Sequence, residues 1–112
     1  MTEPALKAEI WVKAQIRICD SQSIPCFVVR KGDPDAGSIL LKLNRLGAGV
    51  DVYSQVRTMD GIRAWMRATG DEPVDELKAD EYIEKQLKFD PDIWVLEIED
   101  PGHNYIMDGK VI

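Results

Sequence analysis

Histidine and cysteine are scarce in this chain: His103 stands alone, and Cys19 and Cys26 are the only thiols. A structural zinc site takes four Cys or His ligands, usually in close pairs, and three residues do not supply it. A Cys–His nucleophile pair would have to recruit His103 from a Pro-Gly turn. The simpler reading is two small apolar side chains and one surface imidazole. The spacing permits a Cys19–Cys26 disulfide, which a reducing cytosol disfavours. Also missing is any run near the ~20 apolar residues that cross a bilayer, and MTEPALKAE lacks the basic-then-apolar plan of a signal peptide. The expectation is a cytoplasmic protein with no membrane partner. There is no Ser/Gly/Pro-rich linker, internal repeat or low-complexity segment, and no glycine pattern of a nucleotide-binding loop. Nothing calls for a cofactor.

What is present suits one folded domain over residues 1–112. The length supports a single core, and 45% hydrophobic residues are too many for a disordered chain. The net charge of −6 is unevenly spread. Residues 1–70 hold 10 basic and 7 acidic side chains, whereas residues 71–112 hold 4 and 13. One side of the globule is therefore expected to be basic and the other acidic.

Residues 5–20 carry two periodicities. Leu6, Ile10, Ala14 and Ile18 fall on one helical stripe, with Glu3-Pro4 as a start. Ile10, Val12, Ala14, Ile16 and Ile18 also alternate as in a strand. A length of ~15 residues favours the helix. Pro25–Lys31 and Ser38–Arg45 read as strands joined into a hairpin by GDPDAG. Val50–Arg57 and Ile62–Ala68 form a second hairpin. A three-residue loop Met59-Asp60-Gly61 pairs Thr58 with Ile62, Val56 with Ala64 and Ser54 with Met66, and puts Gly61 at the left-handed position. Val52, Val56, Ile62, Ala64 and Met66 then share one face. Pro73 and Asp75 open a helix that runs to about Phe89, with Leu77, Ala79, Tyr82, Ile83, Gln86 and Leu87 as a partial apolar stripe. Asp90-Pro91 ends it. Residues 92–99 read as a strand with Trp94, Leu96 and Ile98 on one face, and Tyr105–Met107 returns as a short edge strand. The order α-β-β-β-β-α-β-β predicts an α+β fold: a mainly antiparallel sheet of five to six strands with two helices on one side.

Three groups of residues could carry function. The second hairpin's other face collects Tyr53, Gln55, Arg57, Arg63, Trp65 and Arg67, with Arg57 directly opposite Arg63. Like charges across a strand pair are mildly destabilising, so an anionic neighbour is expected. That neighbour is the molecule's own acidic helix, an acidic protein partner, or single-stranded nucleic acid bound by stacking and phosphate contacts. The net charge of −6 weighs against nucleic acid. A homodimer through the Trp65 face is the structural alternative. The loop from Arg30 to Gly37 offers Asp33 and Asp35 to a cation, or Arg30 and Lys31 to an anion, although its composition is first of all good turn chemistry. Asp90, Asp92, Glu97, Glu99 and Asp100 form the third group. Glu97 and Glu99 lie on one strand face, ~7 Å apart by strand rise. Paired carboxylates suit a hard cation or acid–base work, and a solvated acidic edge equally well.

The segments EIWVKAQIRIC, FVVRKGDPDAGSILLKLNR and FDPDIWVLEIED resemble a family of small, chiefly alphaproteobacterial proteins defined as a domain of unknown function. The resemblance spans about residues 6–108 and implies one compact domain. It brings no activity, cofactor or catalytic residue. The residues thus favour a small protein-binding or regulatory module contacting an acidic partner through Tyr53, Arg57, Arg63, Trp65 and Arg67, with the Asp33–Asp35 loop as a second contact. The alternatives are a metal-assisted hydrolase built on clustered carboxylates and a single-stranded nucleic-acid binder.

Overall fold

Two strand segments are apolar at successive positions, and this decides the layering. A computed structural model describes residues 7–112. In it β1 (Cys26–Arg30), β2 (Ile39–Asn44), β3 (Val50–Arg57), β4 (Arg63–Arg67), β5 (Trp94–Glu99) and β6 (Lys110–Val111) form one sheet. Their spatial order is β1-β5-β2-β3-β4-β6. Helix α1 (Ala8–Ser21) precedes β1, and α2 (Glu76–Phe89) separates β4 from β5. The α+β class, the element order and the strand count agree with the sequence reading.

The sheet is mixed rather than mainly antiparallel, because β2 pairs with β5 and β4 with β6 in parallel. The expected β1–β2 hairpin does not form: β5 lies between the two strands, antiparallel to β1. The reason is burial. Every residue of β2 is buried, and so is β5 up to Ile98. Strands apolar on both faces belong in the sheet centre. β1 is largely exposed beyond Cys26 and takes an edge, with a bulge between Val28 and Arg30.

Covering both faces needs a helix on each, not two on one side. Ile39, Leu41, Leu43, Trp94, Leu96 and Ile98 pack with Trp11, Val12 and Cys19 of α1. Leu40, Val52 and Val95 pack on the other face with Ala79 and Ile83 of α2.

Residues 8–21 are helical, which resolves the double periodicity; Glu3-Pro4 and Leu6 lie outside the described residues. The buried stripe is Ala8, Trp11, Val12, Gln15 and Cys19, while Ile10 and Ile18 are about half exposed. Trp11 wins the core side because it buries more apolar area and its indole N–H has a partner there. In α2 the Asp75 side chain accepts the Lys78 N–H at 2.8 Å as an N-cap. Leu77, expected on the apolar stripe, is exposed.

The second hairpin has the register argued from its sequence. Val56 faces Ala64, Ser54 faces Met66 and Arg57 faces Arg63, and Gly61 has φ +77°. After β5 the chain does not return as an edge strand at Tyr105–Met107. Asp100 Oδ1 accepts the Asn104 N–H and Oδ2 the Tyr105 N–H, which turns the segment over the α1 face. Tyr105 and Met107 pack on the core there, and only Lys110–Val111 pairs, beside β4.

Among the described residues, buried charge is confined to two networks. Lys42 on β2 reaches Glu76 and Asp80 of α2, both at 2.8 Å, and Glu97 of β5 at 3.3 Å. Burial would lower the ammonium pKa, but the bonds to Asp80 and Glu76 and the Glu97 charge outweigh it and raise it. Just beyond the ends of β2 and β5, buried Asp100 accepts Arg45 Nη1 at 3.2 Å, and Asp51 accepts Arg67 at 2.9 Å. Removing one member of such a pair strands its partner. Asp100→Asn is expected to lower the unfolding free energy by about 3 kcal/mol in urea titration.

Three groups hold their protons more tightly in the fold than in the open chain. Burial and the neighbouring Cys19 push the Cys26 thiol up to about 12, burial raises Tyr105, and the carboxylates raise Lys42. Each contributes stability that is intact at neutral pH and is lost as pH rises above the ordinary value of the group. The urea midpoint is expected to fall steadily above about pH 9, and Cys26→Ala/Tyr105→Phe should flatten that fall.

Candidate functional site

The aromatic-basic face of the β3–β4 hairpin is the side that α1 covers. Trp65 is 0% and Tyr53 7% exposed. Trp11 stacks on Trp65 at 5.5 Å with the planes tilted 39°. The Trp65 indole N–H donates to the Asp108 carbonyl at 2.9 Å, and the Trp11 indole N–H to Asp108 Oδ2 at 2.7 Å. Tyr53 and Trp65 are therefore core residues rather than contact residues. The reason is that a half-polar aromatic with a hydrogen-bond partner for its N–H is worth burying. Arg67 is engaged as well: it bonds Asp51 and lies 5.8 Å over the Tyr53 ring.

Arg57 and Arg63, which flank the turn of the hairpin, are placed differently. The Arg63 guanidinium sits 5.2 Å over the Trp11 ring and 3.5 Å from Asp108 Oδ2. Burial and the Arg57 charge lower its pKa, against the opposing effect of Asp108. Arg57 is exposed and has no carboxylate partner among the described residues. The acidic helix is not their counter-ion, since α2 packs on the other face and gives Glu76 and Asp80 to Lys42.

The Asp33–Asp35 loop closes the opposite wall. Asp33 Oδ2 accepts the Ala36 N–H at 2.7 Å and the Asp35 N–H at 3.2 Å, and the Asp33 carbonyl accepts the Trp94 indole N–H at 2.7 Å. Gly37 is needed for close approach: a Cβ there would lie 2.5 Å from the Asp92 carbonyl oxygen and 2.9 Å from Trp94 Cδ1. The loop carbonyls of Pro34 and Asp35 accept the first N–H groups of α1, from Glu9 and Ala8. Asp35 faces Lys7 at 3.7 Å. The two carboxylates are thus used in turn and surface contacts and do not converge on a cation position.

Between loop and hairpin lies a cleft of about 320 Å³. Arg57, Arg63 and Gln55 form one wall, Asp35 to Ser38 the other, and Ala8, Trp11 and Ile39 the apolar floor. Gln55 is held by the Ile39 N–H, which donates to Oε1 at 3.2 Å, and its amide NH₂ has no protein partner among the described residues. The cleft joins parts of the two surfaces that the sequence singled out separately. Trp11, Ser38 and Asp108 were missed. The Trp11 indole N–H was a signal, as a buried one demands an acceptor, but no local pattern points to Asp108.

The third group is dispersed. Glu97 is paired with Lys42, Asp100 with Arg45, and Asp90 Oδ1 accepts the Asp92 N–H. No cluster of three or more potential metal ligands occurs among the described residues. The two cysteines are free, Cys19 buried and Cys26 half-buried. No described helix is long and apolar enough to cross a membrane.

Residues 6–108 match the model of the protein of unknown function family DUF1491. The chain belongs to that family. It is 35% identical to the crystal structure of a DUF1491 family protein from Caulobacter crescentus CB15, with TM-score 0.85 over 96% of this chain and 100% of that one. An NMR structure of a DUF1491 family protein from the same organism is 34% identical, with TM-score 0.83 over 98% and 99% of the two chains. Protein Atu0922 from A. tumefaciens is 25% identical, with TM-score 0.72 over 84% and 85%. No curated protein matches the chain. Family membership supports the fold.

Asp108 links α1, β4 and the C-terminal segment, and its side chain and carbonyl are separable by mutation. Asp108→Ala should cost about 2 kcal/mol in urea titration by leaving the Trp11 indole N–H without an acceptor, and Asp108→Asn less than about 1 kcal/mol because an amide oxygen can replace it.

Proposed function

We propose that this protein is a binding module for an acidic protein partner, with the contact at the Arg57–Arg63 cleft rather than over the whole hairpin face. The observation that carries the reading is the direct opposition of Arg57 and Arg63 across β3–β4 with one described carboxylate, Asp108, beside them. Like charges so placed are mildly unfavourable, and an incoming anion relieves them. Charge-assisted bonds from guanidinium groups are among the stronger polar contacts, and arginine is enriched at binding hot spots. The cleft also offers a walled recess, which favours specific recognition over diffuse attraction. Non-specific single-strand binding relies on exposed aromatic platforms, and burial of Tyr53 and Trp65 weighs against it. Pairing of Glu97 and Asp100 with basic side chains likewise weighs against a carboxylate-based hydrolase.

The test is selection of peptides from a random display library on the immobilised protein. Enriched peptides should be acidic, should compete with one another, and should lose at least about tenfold in affinity with Arg57→Glu, whose exposed position leaves the fold intact. Enrichment without acidic bias, or binding indifferent to Arg57→Glu, would overturn the reading.

A further inference from the structure

The charge balance of the cleft indicates what group enters it. Arg57 and Arg63 contribute two positive charges, and Asp108, 3.5 Å from Arg63, contributes one negative charge. Asp35 on the facing wall is balanced by Lys7 at 3.7 Å. One positive charge is left over. A monoanion neutralises it. A phosphate monoester, with a charge near −2, would overshoot and would also meet Asp35 and Asp108 at close quarters.

The donors and the size point the same way. The arginines present planar forks matched to a carboxylate, and the Gln55 amide adds a neutral donor fixed by Ile39. A volume of about 320 Å³ lies at the small end of ligand sites, enough for one side chain but not for a folded strand. The Ile39 and Ala36 walls can cover the aliphatic stem of that side chain.

We infer that the cleft receives a single carboxylate side chain of the partner, held between Arg57, Arg63 and Gln55, and that it discriminates against phosphorylated residues. This rests on the binding-module reading and specifies its anchor. The probes are N-acetyl-glutamate amide, its glutamine counterpart and N-acetyl-phosphoserine amide. They are titrated into the full-length ¹⁵N-labelled protein, and the NMR signals of the Arg57 and Arg63 side-chain N–H groups, the Gln55 amide and the Trp11 indole are followed.

The glutamate probe should move these signals with a Kd on the order of 10 mM, and Arg57→Gln should weaken it at least about fivefold. The glutamine probe should bind at least about tenfold more weakly, and the phosphoserine probe more weakly than glutamate. Equal or tighter phosphoserine binding, or equal binding of glutamine, would overturn the carboxylate assignment while leaving the binding module standing. Cleft signals that stay still with every probe up to about 100 mM would also overturn it. The broader reading would fall separately, on the peptide selection above.

Discussion

Strands β2 and β5 are buried on both faces, and most of the architecture follows from hiding them. Side by side and parallel, they form the sheet centre, where neither exposes backbone or side chains. Each face then needs its own helix, so α1 and α2 are driven to opposite sides. The crossover that brings β5 between β1 and β2 is the price of that arrangement, since it separates neighbours in sequence. It also determines which helix meets which charges. The acidic helix lands on the face that carries Lys42, and the hairpin arginines are left on the face of α1, whose packed side is apolar apart from Gln15.

The α1 face is sealed by more than hydrophobic contact. Trp11, Trp65 and Asp108 come from the first helix, the fourth strand and the last segment of the chain, and hydrogen bonds of 2.7 and 2.9 Å join them. Tyr105 adds a bond from its hydroxyl to Gln15 Oε1 at 2.8 Å, which pairs two further polar groups of this layer with one another. An indole buried with its N–H satisfied contributes its full apolar area without a desolvation penalty. The same contacts set the position of Arg63, because its guanidinium lies on the Trp11 ring and beside Asp108. Core and cleft thus share residues, and Trp11 belongs to both.

How much of this was legible depended on the range of the information. The β3–β4 register follows from Gly61 and local alternation, and α2 from the Asp75 cap and Pro91; both are short-range signals and both match the structure. The place of β5 is set by competition among strands more than fifty residues apart, and no local pattern encodes it. Double-faced burial was nonetheless visible in ILLKLN and WVLEIE, whose apolar residues do not alternate cleanly. For the candidate site, Arg57, Arg63 and Asp35 are legible because charge opposition and loop composition are local properties. The burial of Tyr53 and Trp65 is not, because nothing in the hairpin reveals that Trp11 lies above them. Asp108 was invisible for the same reason.

Arg57 and Arg63 remain close together although the chain as a whole is strongly acidic. Asp60 in the intervening loop is exposed and makes no ion pair with either arginine. Most other carboxylates lie in the last third of the chain, those of α2 are across the sheet, and several are paired with Lys42 and Arg45. Solvent and salt screen what passes around the sheet over about 8–10 Å. The arginine pair therefore feels mainly its own repulsion and Asp108, a local imbalance that the net charge of −6 does not reveal. The surrounding acidity has a second effect. Under the proposed reading, it turns an acidic partner away from the α2 side and toward the α1 side. Charge at a distance and fit at contact then direct the same acidic side chain to the Arg57–Arg63 cleft.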